Sequence, residues 1–81
     1  MIKRIYITVH ELDGKETKRI HSATLEKAIK FAMNWMCDLV DGRAKDRRER
    51  IDTHRENLNS KCETTEGNHH VYIIHAPCYD L

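Results

Sequence analysis

From Ile2 to His10 the chain alternates, with Ile5, Ile7 and Val9 on one side of an extended backbone and Arg4, Tyr6, Thr8 and His10 on the other, and it then reaches Asp13-Gly14. Strand side chains repeat every two residues, and Asp-Gly after such a run is a two-residue hairpin turn because both positions tolerate positive φ. The chain is thereby committed to an antiparallel strand pair at its start. Pairing Leu12 with Lys15 sets His10 opposite Thr17, Thr8 opposite Arg19, Ile7 opposite Ile20 and Tyr6 opposite His21. Ile20 then joins Ile5, Ile7 and Val9, which predicts that this face is buried and that the Arg4/Tyr6/Thr8/His10 face is the outer one.

The next segment is helical. Between Leu25 and Val40, eleven of sixteen residues are apolar, and at about 100° per residue they cover roughly 200° of arc. Ser22 or Thr24 can cap this helix, Glu26 suits its first turn, and Gly42 marks a stop. A helix laid on one small sheet hides a stripe somewhat over about 100° wide, so the flank carrying Phe31 and Trp35 is predicted to remain apolar and to seek a partner. From Arg43 to Asn59 residue propensity again favours helix, but Ala44, Ile51 and Leu58 recur only every seventh residue, a thin stripe that predicts light docking. Asn59 to Asn68 reads as a loop ending in a turn, and His70 to Ile74 as a last strand closed off by Ala76-Pro77. Arg55 to Glu63 is an alternative fourth, polar edge strand. The expected architecture is α+β: one domain over residues 1–81, a small antiparallel or mixed sheet of three to four strands with one broad amphipathic helix packed on one face, in ββα(α)β order.

Charge excludes the simplest nucleic-acid binder. Fourteen Lys and Arg balance thirteen Asp and Glu, although six basic residues crowd between Arg43 and Arg55 among acidic ones. In that segment Arg47 and Arg50 lie within about 60° of one another on a helix, so both could grip carboxylates of one partner surface. The odd count of three cysteines, with no secretory apolar segment near Met1, points to a reducing, cytoplasmic setting, and no run approaches the ~18 apolar residues of a membrane span.

Chemistry-bearing clusters are sparse. Cys62, His75 and Cys78 are candidate zinc ligands, with His75-x-x-Cys78 at ligand-like spacing, but a fourth ligand must come from elsewhere. His69 and His75 on one extended strand stand about 20 Å apart and cannot share an ion. No phosphate-cradling glycine loop, nucleophile elbow or paired inward carboxylates occur, which sets the reading against an enzyme. The outer sheet face, with Tyr6, Arg19 and Tyr72 among Arg4, Thr8, His10, Thr17, His21 and His70, offers aromatic and basic groups of the kind that meet proteins or single-stranded RNA. In build the chain is similar to many stand-alone binding proteins, including phage inhibitors of host systems such as anti-defence or anti-CRISPR proteins. That similarity is one of type and assigns no residue. The expectation is a non-enzymatic protein-binding module without a cofactor, contacting a protein partner or itself as a homodimer through Phe31, Trp35, Arg47, Arg50, Tyr6, Arg19 and Tyr72. Nucleic acid and zinc are the alternatives.

Overall fold

Asp13 and Gly14 both take positive φ, 53° and 81°, the signature of a type I′ hairpin turn. They join β1 (Ile2–Leu12) to β2 (Lys15–Ser22) in the computed structural model, which describes residues 2–40, 42 and 44–79. The chain continues through α1 (Leu25–Leu39), α2 (Ala44–Lys61), β3 (Glu63–Glu66) and β4 (His69–Tyr79). The strands form one antiparallel sheet in the order β2-β1-β4-β3. The class is α+β, as the periodicities predict, with a second helix and a fourth strand giving ββααββ.

The hairpin begins in the predicted register, with Leu12 paired to Lys15, but the pairing slips between His10 and Glu11, so that His10 meets Lys18 and Thr8 meets Ile20. The extra residue is Thr17. Its hydroxyl bonds the His10 carbonyl at 3.2 Å and also contacts the His10 ring, which makes the irregularity a bulge held in place by a side chain. A slip of one residue exchanges faces, and Ile20 now shares a face with Thr8 rather than with Ile7.

That face is the covered one. Thr8 bonds the Ala28 carbonyl of α1 at 3.1 Å, and Tyr6 packs against the core formed by Ala28, Ala32, Met33, Met36, Leu58, Val71 and Ile73. Val71 and Ile73 stand opposite His10 and Thr8 across β1–β4. Ile5, Ile7 and Val9 therefore lie on the other face with Tyr72 and Ile74, and no described helix covers it. The expectation of a buried Ile5/Ile7/Val9 face and an outer Arg4/Tyr6/Thr8/His10 face is corrected: Thr8 and His10 are buried beneath the helices and Arg4 is exposed, while on the other face Val9 is fully covered and Ile5 and Ile7 are half-buried. Burying Thr8 and His10 costs little because both are hydrogen-bonded.

Thr24 caps α1, accepting from the Lys27 N–H at 3.2 Å. The broad apolar arc of α1 is divided between two neighbours within the domain. The sheet takes one side, and α2 packs along the other. The second helix docks more firmly than its hydropathy suggests, because Arg47 and His54 fill the positions between Ala44, Ile51 and Leu58 and bond across to α1 and β3. It also runs to Lys61, where a loop was expected. Asn59 and Ser60 bond back to the Arg55 and Glu56 carbonyls at 2.9 and 2.8 Å and so continue the helix. Cys62, at φ 58°, turns the chain out of it in the left-handed conformation common after a helix. The Arg55–Glu63 edge-strand alternative gives way accordingly: residues to 61 are helical, and the edge strand is Glu63–Glu66, closed onto β4 by Gly67-Asn68. Pro77 does not end β4. It lies beyond the reach of β3, where β4 has β1 on one side only and a residue without an N–H is tolerated.

Candidate functional site

The exposed face of the sheet is built from alternate residues of its strands. From β1 come Ile5, Ile7, Val9 and Glu11, and opposite them on β4 stand Ala76, Ile74, Tyr72 and His70. From β2 come His21 and Arg19, opposite Ile7 and Val9. The face has two halves. At one end Ile5, Ile7, Ile74 and Ala76 form an apolar strip in which Ile74 is 39 % exposed. At the other, Tyr72 donates its hydroxyl to Glu11 at 3.0 Å, Arg19 is paired with Glu16, and His70 stands 3.8 and 3.7 Å from Glu11 and Glu63. Burial and the bond to Glu11 hold the Tyr72 phenol above its usual range. Val9, between Arg19 and Tyr72 in the register, is fully covered.

Of the residues expected to contact a partner, Arg19 and Tyr72 lie on this face. Tyr6 does not. It points toward the helices, its ring edge-on to His75 with centroids 4.9 Å apart. Trp35 is engaged within the domain: Lys18 sits 4.8 Å from its ring centroid and the His10 ring meets it edge-on. The Lys18 ammonium thus covers part of the Trp35 surface that sequence reading assigned to an external partner, and the indole is half-buried. Phe31 is half-buried beside it.

Arg47 is directed onto α1, whereas Arg50 stays exposed and pairs along the surface with β3. Arg47 donates to the Cys37 carbonyl at 2.8 Å and the Val40 carbonyl at 3.3 Å, placing a cation on the unpaired carbonyls at the end of α1. Arg50 pairs with Glu66, whose second oxygen accepts from His54 Nε2 at 3.0 Å. His54 is 4 % exposed, and its Nδ1 lies 2.5 Å from the Thr64 hydroxyl. With Nε2–H given to Glu66, Nδ1 accepts from Thr64, which in turn accepts from Asn57 at 3.4 Å. Threonine, histidine and carboxylate stand in a row, and because Thr64 and His54 are buried the row ties α2 to β3.

A second histidine group was not visible in the sequence. His10 Nε2 and His69 Nδ1 are 2.9 Å apart, with the rings stacked at 5.1 Å. Thr17 gives its proton to the His10 carbonyl, so its oxygen accepts from His10 Nδ1–H, and His10 Nε2 must accept from His69. Burial first, then His69 and Lys18, holds the His10 pKa below its usual value. For His54, burial and Arg50 act in the same direction. A period-two or period-3.6 pattern scores such histidines as solvent-facing and cannot reveal these pairs.

Of the candidate zinc ligands, Cys62 Sγ and His75 Nε2 come within 3.7 Å. The side chain of Cys78 lies outside the described residues. Among those residues, no group of three or more His, Cys, Asp or Glu side chains converges on a point where an ion could sit. None of their helices is long and apolar enough to cross a membrane.

The charges on the exposed face also bear on nucleic acid. Among the described side chains of that face Glu11, Glu16 and Glu63 outnumber Arg19, a balance that does not favour phosphate. On α2, Lys45 and Arg48 alternate with Glu49 and Asp52, and Arg55 bonds Asp52 at 3.1 Å. Comparison with protein-family models, with curated proteins and with solved structures gives no match for this chain.

Proposed function

We propose that this chain is a non-enzymatic protein-binding module that acts by occupying a partner surface, with the exposed sheet face as its contact. The observation that carries this reading is the apolar strip on the central strands, half-buried at Ile5 and Ile7 and 39 % exposed at Ile74, framed by Tyr72 and Arg19. Contiguous apolar side chains ringed by polar ones cost free energy in water and mark contact surfaces in small domains. Tyrosine and arginine at the margin are the residue types that most often anchor such contacts. A contact of this kind suits an inhibitor of the phage type, which needs a surface and no catalytic centre. The reading differs from the sequence expectation in its location, since Trp35 and Arg47 make contacts within the domain and Arg50 is paired with Glu66.

The test compares three forms of the chain as bait in affinity capture from the native host: wild type, the open-face pair Ile7→Asp with Ile74→Asp, and Arg48→Glu on the exposed side of α2. Loss of the captured protein with the first variant and retention with the second is the expected result. Retention with the open-face pair and loss with Arg48→Glu would overturn the reading.

A further inference from the structure

We propose that His10 and His69 form a proton-operated latch between the two hairpin ends: the pair holds one added proton with its hydrogen bond intact, and a second opens it. This inference is independent of the contact assigned to the exposed face.

The pair lies where the two hairpins meet. His10 is near the end of β1, His69 begins β4, and the register sets Leu12 opposite His69. The turns beyond them, Asp13-Gly14 and Gly67-Asn68, stand side by side, and the Asp13 N–H donates to the Asn68 carbonyl at 3.1 Å. The bond between the two rings is thus a side-chain tie, on the helix side of the sheet, next to a backbone tie between the turns.

His10 is 6 % exposed, and both of its ring nitrogens are engaged, Nδ1 with the Thr17 hydroxyl and Nε2 with His69 Nδ1 at 2.9 Å. A gap of that length holds one hydrogen, because two N–H groups cannot point at each other across it. His69 is half-buried, and among the described residues nothing bonds its Nε2. A first added proton is accommodated there, and His69 continues to donate Nδ1–H to His10, now from a cation. A second must enter at His10 Nε2, the acceptor of that bond. It removes the bond and leaves two imidazolium rings side by side in a largely covered site.

The surrounding groups oppose that second proton. From β2, Lys18 and Lys15 stand opposite His10 and Leu12, and the Lys18 ammonium lies over Trp35. From α1 comes the uncharged Trp35 ring, edge-on to His10. The carboxylate that β3 sets opposite His69, that of Glu66, is already shared by Arg50 and His54 of α2. Burial, His69 and Lys18 accordingly hold His10 below its usual value. Opening the hairpin ends returns both rings to water, where a histidine titrates near 6.5. The open state then binds one more proton than the closed one, from about pH 6.5 down to the folded value of His10. Its population therefore rises by up to about tenfold per pH unit as the pH falls through that window.

Amide hydrogen exchange of the full chain, followed by NMR from about pH 7.5 to about pH 5 and corrected for intrinsic exchange, tests this. The Asp13 amide reports the hairpin ends, and the Ile73 amide, bonded to the Cys62 carbonyl at 2.8 Å, reports the body of the sheet. In the wild type, exchange at Asp13 is expected to quicken by up to about tenfold per pH unit below about pH 6.5, and to stay at least about tenfold faster than at Ile73. His69→Asn keeps a donor near the position of Nδ1, cannot take a proton, and can turn its amide to offer oxygen once His10 is protonated. It is expected to flatten the Asp13 profile. Equal corrected rates at Asp13 and Ile73 would mean that the whole sheet opens together and would overturn the proposal. So would a flat Asp13 profile in the wild type, or the same quickening in His69→Asn. Should that variant fail to fold by circular dichroism, long-range proton–nitrogen spectra of the wild-type imidazoles decide. One hydrogen between His10 Nε2 and His69 Nδ1 while Asp13 is protected, and hydrogens on both nitrogens once it exchanges, support the latch. Hydrogens on both nitrogens while Asp13 stays protected overturn it.

Discussion

Thr8 donates its hydroxyl to the carbonyl of Ala28 at 3.1 Å, and this contact between strand and helix marks the side of the sheet on which the helices lie. Thr8 is one of the polar residues of β1, while its apolar neighbours Ile7 and Val9 point the other way. The domain has therefore packed its helices on the face of β1 with more hydrogen-bonding groups, and on the more aliphatic face the neighbouring strands cover Val9 and leave Ile7 half-buried.

Neighbouring residues of β4 read out this arrangement directly. Ile73 is 7 % exposed and Ile74 is 39 % exposed. Ile73→Ala is expected to destabilise the fold by about 2–4 kcal/mol through lost burial and a cavity, and Ile74→Ala by about 1 kcal/mol or less. Urea denaturation measures both. Equal losses would place both side chains in one core and remove the basis for an exposed face.

Arg47 bonds two carbonyls at the end of α1. Arg47→Ala is expected to cost about 1–3 kcal/mol, the range for a hydrogen bond from a charged group, and Arg47→Lys to recover only part because an ammonium cannot reproduce the fork. Thermal unfolding checks this. A variant as stable as wild type would return Arg47 to the surface role that its sequence position suggests.

Stability is expected to fall in mild acid. An unfolded histidine titrates near 6.5, and His10 and His54 are held below that value, by burial first and then by neighbouring cations and His69. Between the folded values and 6.5 the unfolded chain binds more protons, so the contribution is fully present above about pH 6.5 and is lost as pH falls through the folded values. Urea midpoints from about pH 8 down to about pH 5 record the loss, and His54→Gln is expected to flatten part of the curve. An identical slope in that variant would mean that His54 does not contribute.

Trp35 is expected to behave as a packed residue. With Lys18 over its ring and His10 at its edge, its fluorescence should be blue-shifted. Lys18→Ala should shift it toward the red and cost about 0.5–1 kcal/mol. Emission at the wavelength of free tryptophan would show an exposed indole and restore the Phe31/Trp35 flank as a docking surface.

Several elements were legible in the chain because local chemistry specifies them. Asp13-Gly14 needs positive φ and forms the hairpin turn, Thr24 caps α1, and the dense apolar run after it is helical. Arg19 and Tyr72 stand on an exposed sheet surface, though beside Ile7 and Ile74 instead of Tyr6. The length of α2 was underread because Asn59 and Ser60, ordinarily turn residues, bond back into the helix. The short strand β3 has no pattern of its own and exists because β4 is there to pair with it.

The sequence settles the alternation of β1 into two faces, the first hairpin turn and the start of α1, since turn, cap and periodicity act over a few neighbours. It does not settle which face is covered. Alternation divides β1 into Ile5/Ile7/Val9 and Tyr6/Thr8/His10 without ranking them, and the apparent ranking by hydropathy points the wrong way. The choice is made where distant groups meet: Thr17 bulges against His10 and shifts the pairing, His69 completes the hydrogen bonding of His10, and Ala28 accepts from Thr8. Those partners lie 7 to 59 residues away along the chain. Once each polar group has its bond, burying it costs little, and the packing of α1 and α2 against Val71 and Ile73 decides the rest.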